Sequence, residues 1–202
     1  SGVFILKILF GTFIWYIYTH YYPDRTKADI FKYFDDAKII FDALHENPAD
    51  YLRILLGVGN DTSYFDTQYY HKMMYWSKAF DSSFYNESHT IIRFNAFLHL
   101  FSLGTYHVHT VFMCFLSLTG LVAIYKCAST LFSNKLKFLA FALFLVPSVL
   151  LWSSGVLKEG LVIFALGMVL YISYHILQYR NNMKLLVLLV PLLAIMLYLL
   201  IL

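Results

Sequence analysis

The chain has 202 residues, of which 60% are hydrophobic and 19% aromatic, whereas only 13% are charged. Soluble domains carry about 25% charged residues, so this deficit, together with several long apolar runs, argues against a soluble domain and predicts an integral membrane protein. The net charge of +3 is too small to favour nucleic acid as a partner, and the two cysteines supply neither a disulfide framework nor a metal site.

Five apolar runs predict five membrane-spanning helices, at residues 3–18, 107–125, 138–152, 160–177 and 185–202. The predicted fold class is therefore an all-α membrane protein, with one polytopic domain over residues 1–202 and a large helical loop at residues 19–106. The first residue is Ser1 and the last apolar run reaches Leu202. We therefore expect the sequence to be a fragment of a longer chain.

The distribution of charge predicts the orientation of these spans. The segments that follow the second and fourth spans hold five lysines or arginines and no acid, whereas residues 19–106 hold 11 of the 12 acidic residues. Because cytoplasmic segments are enriched in lysine and arginine, we expect the N-terminus in the cytoplasm and the large loop on the extracytoplasmic side. The expected location is the bacterial inner membrane, with the protein passing through it several times.

The large loop is predicted to contain four helical segments. Residues 27–45 place apolar side chains three and four apart, which is typical of an amphipathic helix. An Asn-Pro pair starts a second helix that ends at Gly57, and residues 66–80 form a third, aromatic-rich candidate. The fourth, at residues 91–103, is too short to span a bilayer. We expect it to pack against the bundle at membrane depth or to dip into the membrane from outside.

The acidic pair Asp35-Asp36 is the first candidate for catalysis. One carboxylate could act as a general base on an acceptor hydroxyl, while its neighbour orients it or holds a divalent cation through water. The alternative is a solvated helix face, on which Asp35 pairs with Lys38 at a spacing of three. Both interpretations stay open on the sequence alone.

Four further residues are candidates for substrate binding. Lys158 and Glu159 lie in a turn between two predicted spans, where charges are costly unless they pair or face a polar cavity. Arg93 could hold a phosphate, and His99 lies six residues further along the same helix. The alternative for the first pair is an interfacial ion pair, and for Arg93 it is an extension of the side chain to lipid headgroups.

Three stretches together resemble the GT-C superfamily of membrane glycosyltransferases. Residues 33–44 are similar to the acidic pair and helix that lie near the start of the first large extracytoplasmic loop in that family. Residues 93–98 resemble the stretch that leads into the second span, and residues 147–159 resemble the end of the third span and the short outer loop after it. The family's second acid is commonly Asp, whereas this chain has Lys158-Glu159.

The resemblance implies transfer of a sugar from a polyprenyl-phosphate carrier to a lipid, glycan or protein acceptor. Asp35 or Asp36 would then deprotonate the acceptor, and the leaving phosphate would lie against Lys158 or Arg93. His99 and Glu159 are the other two residues expected to bind substrate. Whether a divalent cation takes part stays open. Two alternatives remain: an accessory or scaffold subunit with partner membrane subunits, and a polysaccharide polymerase or flippase-like protein.

Overall fold

The computed structural model of the protein describes residues 2–22, 24–76, 88–179 and 182–201. In these ranges the chain is helical and has no β-strand, which confirms the predicted all-helical class. The helices are α1 (Gly2–Tyr21), α2 (Asp29–Glu46), α3 (Pro48–Leu56), α4 (Ser63–Gln68), α5 (Ser88–Ser102), α6 (Tyr106–Leu131), α7 (Leu136–Phe144), α8 (Pro147–Trp152), α9 (Lys158–Gln178) and α10 (Met183–Ile201).

Three of these helices, α1, α6 and α9, are long and apolar enough to cross a bilayer. They cover the spans predicted at residues 3–18, 107–125 and 160–177. Helix α10 has a shorter apolar segment, Met183–Tyr198, and packs along α9. The spans at residues 138–152 and 185–202 therefore stay predictions.

The segment predicted as the third span is two short helices rather than one. Helix α7 ends at Phe144, and α8 begins at Pro147 after Val146, which has the extended conformation φ −66°, ψ 124°. Proline has no N–H to donate and disfavours the helical conformation of the preceding residue, so the break falls before Pro147. Residues 153–157 are again non-helical, and α9 begins at Lys158.

Helices α6 and α9 cross at two glycines. A Cβ atom added to Gly167 would lie 2.2 Å from the carbonyl oxygen of Gly120, and one added to Gly120 would lie 2.3 Å from that of Ile163. Because lipid offers no hydrophobic drive for helix association, small residues that let two backbones approach are the usual device for packing spanning helices. The two glycines thus set the distance between the helices that form the centre of the bundle.

The loop helices pack around α2 as its periodicity predicts. Ile30, Phe34, Ala37 and Ile40 are buried on one side, and α2 makes its most extensive contact with α5. Asn47 caps α3, since its Oδ1 accepts the N–H of Ala49 at 3.2 Å.

The third predicted loop helix, at residues 66–80, is wrong over the part that the structure describes. Helix α4 ends at Gln68, a single 3₁₀ turn covers Tyr70–Lys72, and residues 73–76 are not helical. The N–H groups of Met74 and Tyr75 donate to the side chain of Asp36 rather than to helix carbonyls. Residues 77–80 lie outside the described ranges.

Candidate functional site

The two carboxyl groups of the acidic pair have different surroundings. Asp35 is partly exposed and forms a bidentate ion pair with Arg25, with Nε–Oδ2 and Nη2–Oδ1 distances of 2.7 and 2.8 Å. The alternative partner expected from the sequence, Lys38, bonds Asp42 instead at 2.6 Å. Asp35 is therefore an accessible carboxylate whose orientation is fixed by an arginine.

Asp36 is completely buried. Its two oxygens accept the backbone N–H groups of Met74 and Tyr75 at 2.8 and 2.7 Å. Burial raises the pKa of this carboxyl above its ordinary value, and the two N–H groups oppose that rise. Asp36 thus holds the non-helical segment 73–76 against α2.

A second polar cluster lies at the start of α2. The hydroxyl of Tyr75 donates to Asp29 at 2.6 Å and accepts from Lys32 at 3.0 Å. Burial raises the pKa of the nearby Tyr33 phenol, and the negative charges of Asp29 and Glu159 raise it further.

Arg93 lies at an apolar cavity of about 430 Å³ between the loop helices and the bundle. Its Nε donates to the carbonyl of Ile54 at 2.8 Å, and its guanidinium lies 5.2 Å from the ring centre of Trp76. Helices α3, α5, α6, α9 and α10 all contribute walls. Arg93 is the one charged residue among the described lining residues, and the hydroxyl of Thr90 has no hydrogen-bond partner in the described part of the chain.

The acidic pair and the cavity are connected through one short segment. Asp36 holds the N–H groups of Met74 and Tyr75, and the next residue, Trp76, stacks beside Arg93. Asp35, Asp36 and His99 do not themselves line the cavity.

Lys158 and Glu159 line a different cavity, of about 370 Å³, between α8 and α9. Trp152 and Ser153 form its other side, and one oxygen of Glu159 is buried without a hydrogen-bond partner in the described ranges. Lys158 and Glu159 therefore line a cavity that Arg93 does not line, whereas the resemblance implied a leaving phosphate against Lys158 or Arg93.

His99 is buried between α2 and α6, away from both cavities. Its Nε2 donates to the carbonyl of Phe34 at 3.3 Å, and its ring lies 4.6 Å from that of His109. Six residues along a helix place the side chain of His99 about 120° from that of Arg93 around the helix axis, so the two occupy different faces of α5. In this structure His99 has a packing role.

Lys7 is a buried polar residue that the sequence reasoning did not single out. It lies inside α1, is completely buried, and donates to both the carbonyl and the hydroxyl of Ser153 in the segment after α8. Ser117 on α6 donates to the same carbonyl at 2.7 Å. The signal was a single lysine within an apolar run, since a charge inside a spanning segment is costly unless it has a role.

Comparison with protein-family models, with curated proteins and with solved structures gives no match for this chain. Among the described residues no group of three or more His, Cys, Asp or Glu side chains is arranged to hold a metal ion. The two cavities and the acidic pair are therefore the features of this chain that bear on its function.

Proposed function

We propose that this chain belongs to a membrane glycosyltransferase that takes a sugar from a polyprenyl-phosphate carrier. The observation that carries the proposal is the cavity at Arg93. Its volume of about 430 Å³ falls within the range of about 300–1,000 Å³ that is usual for small-molecule sites. An apolar cavity with a single guanidinium suits a ligand that has a hydrocarbon tail and an anionic head.

Arg93 suits a phosphate for a further reason. Guanidinium groups bind phosphate bidentately, and such charge-assisted hydrogen bonds are stronger than those between neutral groups. The Nε–H bond to Ile54 and the cation–π contact with Trp76 support an orientation in which the side chain is held before a ligand arrives. Holding the group in advance reduces the entropy lost on binding.

The two acids of the pair then take different roles in the proposal. Asp35 is the general base that removes a proton from the acceptor, because its carboxylate is accessible and Arg25 holds it in one orientation. Asp36 is a positioning residue, because it holds the segment that brings Trp76 against Arg93. The end of the bundle that carries α2–α5 would face the extracytoplasmic side, where the acceptor is a lipid, glycan or protein.

Binding of farnesyl phosphate tests the role of Arg93. We expect Arg93→Gln to weaken binding about 10- to 150-fold, which corresponds to the loss of about 1.5–3 kcal/mol from charged hydrogen bonds. The measurement is a titration of the detergent-purified protein, followed by native mass spectrometry. Farnesol, which has the same tail and no phosphate, should bind both proteins equally.

Arg53→Gln is the matched control, because Arg53 is an exposed arginine on α3. It should bind farnesyl phosphate as the wild type does. If the Arg93→Gln and Arg53→Gln proteins bound farnesyl phosphate with equal affinity, Arg93 would have no role in phosphate binding. A scaffold subunit or a flippase-like protein would then be favoured.

Sugar transfer by the full-length protein tests the role of Asp35. We expect Asp35→Asn to lower the transfer rate about 10²- to 10⁴-fold, which is the usual contribution of a general base, with little change in the amount of folded protein. The assay follows radiolabelled sugar from a polyprenyl-phosphate donor in membrane vesicles. Asp42→Asn, an exposed acid on the same helix, should leave the rate unchanged. If the Asp35→Asn and Asp36→Asn proteins both still transferred sugar, the acidic pair would not be catalytic.

A further inference from the structure

Helix α5 has its polar residues inside and its aromatic residues outside. Asn95, His99 and Ser102 are buried on one face, whereas Phe97 and Phe101 on the other face are 43% and 60% exposed. Ile91, Ile92, Ala96 and Leu98 of the same helix are buried as well, so α5 has apolar residues on both sides. A helix at the surface of a water-soluble domain instead has polar residues on its exposed face. The exposed face of α5 is therefore apolar, and its contact with water is unfavourable.

Two of the buried polar side chains of α5, Asn95 and Ser102, are satisfied by the protein itself, whereas Nδ1 of His99 has no hydrogen-bond partner in the described part of the chain. Asn95 accepts from His109 Nδ1 at 2.7 Å and donates to the carbonyl of Ile91 at 2.7 Å. The hydroxyl of Ser102 donates to His109 Nε2 at 2.8 Å. Asn95 and Ser102 thus need no contact with water.

The exposed face of α5 continues onto a helix that can span the membrane. Phe101 lies 6.4 Å from Phe112 of α6, measured between ring centres, and Phe112 and Phe115 are themselves 37% and 58% exposed. Leu103, in the turn between the two helices, is 87% exposed. An apolar surface that runs without a charged residue from α5 onto a spanning helix has the bilayer as its natural partner.

The end of α3 meets the same surface across the cavity. Leu56 is 69% exposed, and the neighbouring Val58 is 64% exposed. Leu56 and Phe97 both line the cavity that contains Arg93. The opening of this cavity is therefore flanked by two exposed apolar side chains from different helices.

We propose that α5 and the end of α3 lie within the lipid leaflet, with Phe97, Leu100 and Phe101 against acyl chains. The cavity between these helices then opens sideways into the bilayer, and an amphiphilic ligand enters it from the membrane rather than from water. This arrangement follows from the exposed surface and does not depend on sugar transfer.

Fluorescence quenching in nanodiscs tests the position of α5. A Phe101→Cys variant is labelled with the fluorophore NBD in a Cys127→Ser background, and the other cysteine, Cys114, is completely buried. We expect the label to lose most of its emission when the lipid is brominated phosphatidylcholine, and to resist aqueous iodide. Leu100→Cys, labelled in the same way, is a second position in case Phe101→Cys does not fold.

Two labelled positions calibrate the measurement. Asp42→Cys lies on an exposed polar position of α2 and should respond to iodide and not to brominated lipid. Val187→Cys lies on α10, where the valine is 70% exposed, and should respond to brominated lipid. Iodide quenching at position 101 equal to that at position 42 would overturn the proposal. A label at position 101 that neither agent reaches would also overturn it, because a protein surface would then cover the face.

Discussion

We expect a Gly167→Leu variant to lose its folded helix bundle at temperatures at which the wild type stays folded in detergent. The added side chain would meet the backbone of Gly120, whose carbonyl oxygen lies 2.2 Å from the position of the new Cβ. Overpacking of a core usually costs about 1–3 kcal/mol when neighbouring side chains can move. Here the neighbour is backbone, so we expect a cost of at least about 3 kcal/mol, a large part of the usual stability of about 5–15 kcal/mol.

Thermal unfolding followed by size-exclusion chromatography measures this effect. Gly2→Ala is the matched control, because Gly2 is also helical and an added Cβ would have no atom within 4 Å. It should unfold at the wild-type temperature, and Gly167→Ala should fall between the two. If Gly167→Leu unfolded like Gly2→Ala, helices α6 and α9 could not cross at these glycines.

The second large effect is expected for Asp36→Ala, which should destabilise the protein by about 2–5 kcal/mol. The substitution leaves the N–H groups of Met74 and Tyr75 without their acceptor in a buried setting, and each such group costs about 1–3 kcal/mol. The segment 73–76 should then detach from α2. The measurement is the unfolding temperature, together with the rate of proteolysis within the loop.

The neighbouring residue supplies the control for this prediction. Asp35→Ala breaks a partly exposed ion pair with Arg25, and such pairs contribute about 0–1 kcal/mol. Asp36→Asn should be intermediate, since an amide keeps one acceptor oxygen and presents an N–H₂ group to the other backbone donor. Equal stability of Asp35→Ala and Asp36→Ala would contradict the buried contact.

Features that depend on neighbours in sequence could be predicted. The spacing of Ile30, Phe34 and Ala37 gave helix α2 and its buried face, and Asn47-Pro48 gave the start of α3. These signals are local, because side-chain periodicity and capping involve residues within one or two turns. The apolar runs that form α1, α6 and α9 could also be recognised from the sequence.

Features that depend on distant partners could not be predicted. Nothing in the sequence near Asp36 indicates that its carboxylate oxygens would accept the backbone N–H groups of residues 38 and 39 positions away. The same contact explains the wrong helix at residues 66–80, because a side-chain acceptor replaced helical carbonyls for Met74 and Tyr75. Pro147 is the exception, because a proline near the end of an apolar run is a local signal for a kink, and the break between α7 and α8 falls there.

The separation of Arg93 from Lys158 and Glu159 is also a tertiary property. The sequence indicates that all three lie near the membrane boundary, but only the packing of α9 decides which cavity each one lines. Helix α9 contributes Leu161 and Phe164 to the cavity of Arg93, and its first turn to the cavity beside α8. If α9 were rotated about its axis, these residues would line different cavities, although their spacing in the sequence would be the same.

The contact between Lys7 and Ser153 has a consequence for biosynthesis. The two residues are 146 positions apart, and ribosomes add about 5–20 residues per second, so roughly 7–30 s pass before the lysine meets its acceptors. During that interval the ammonium group must reach the headgroups or water, because a lysine inside a spanning helix is costly unless it meets a polar group. Helix α1 is synthesised before α8, so its lysine can make this contact only after α8 has arrived beside it.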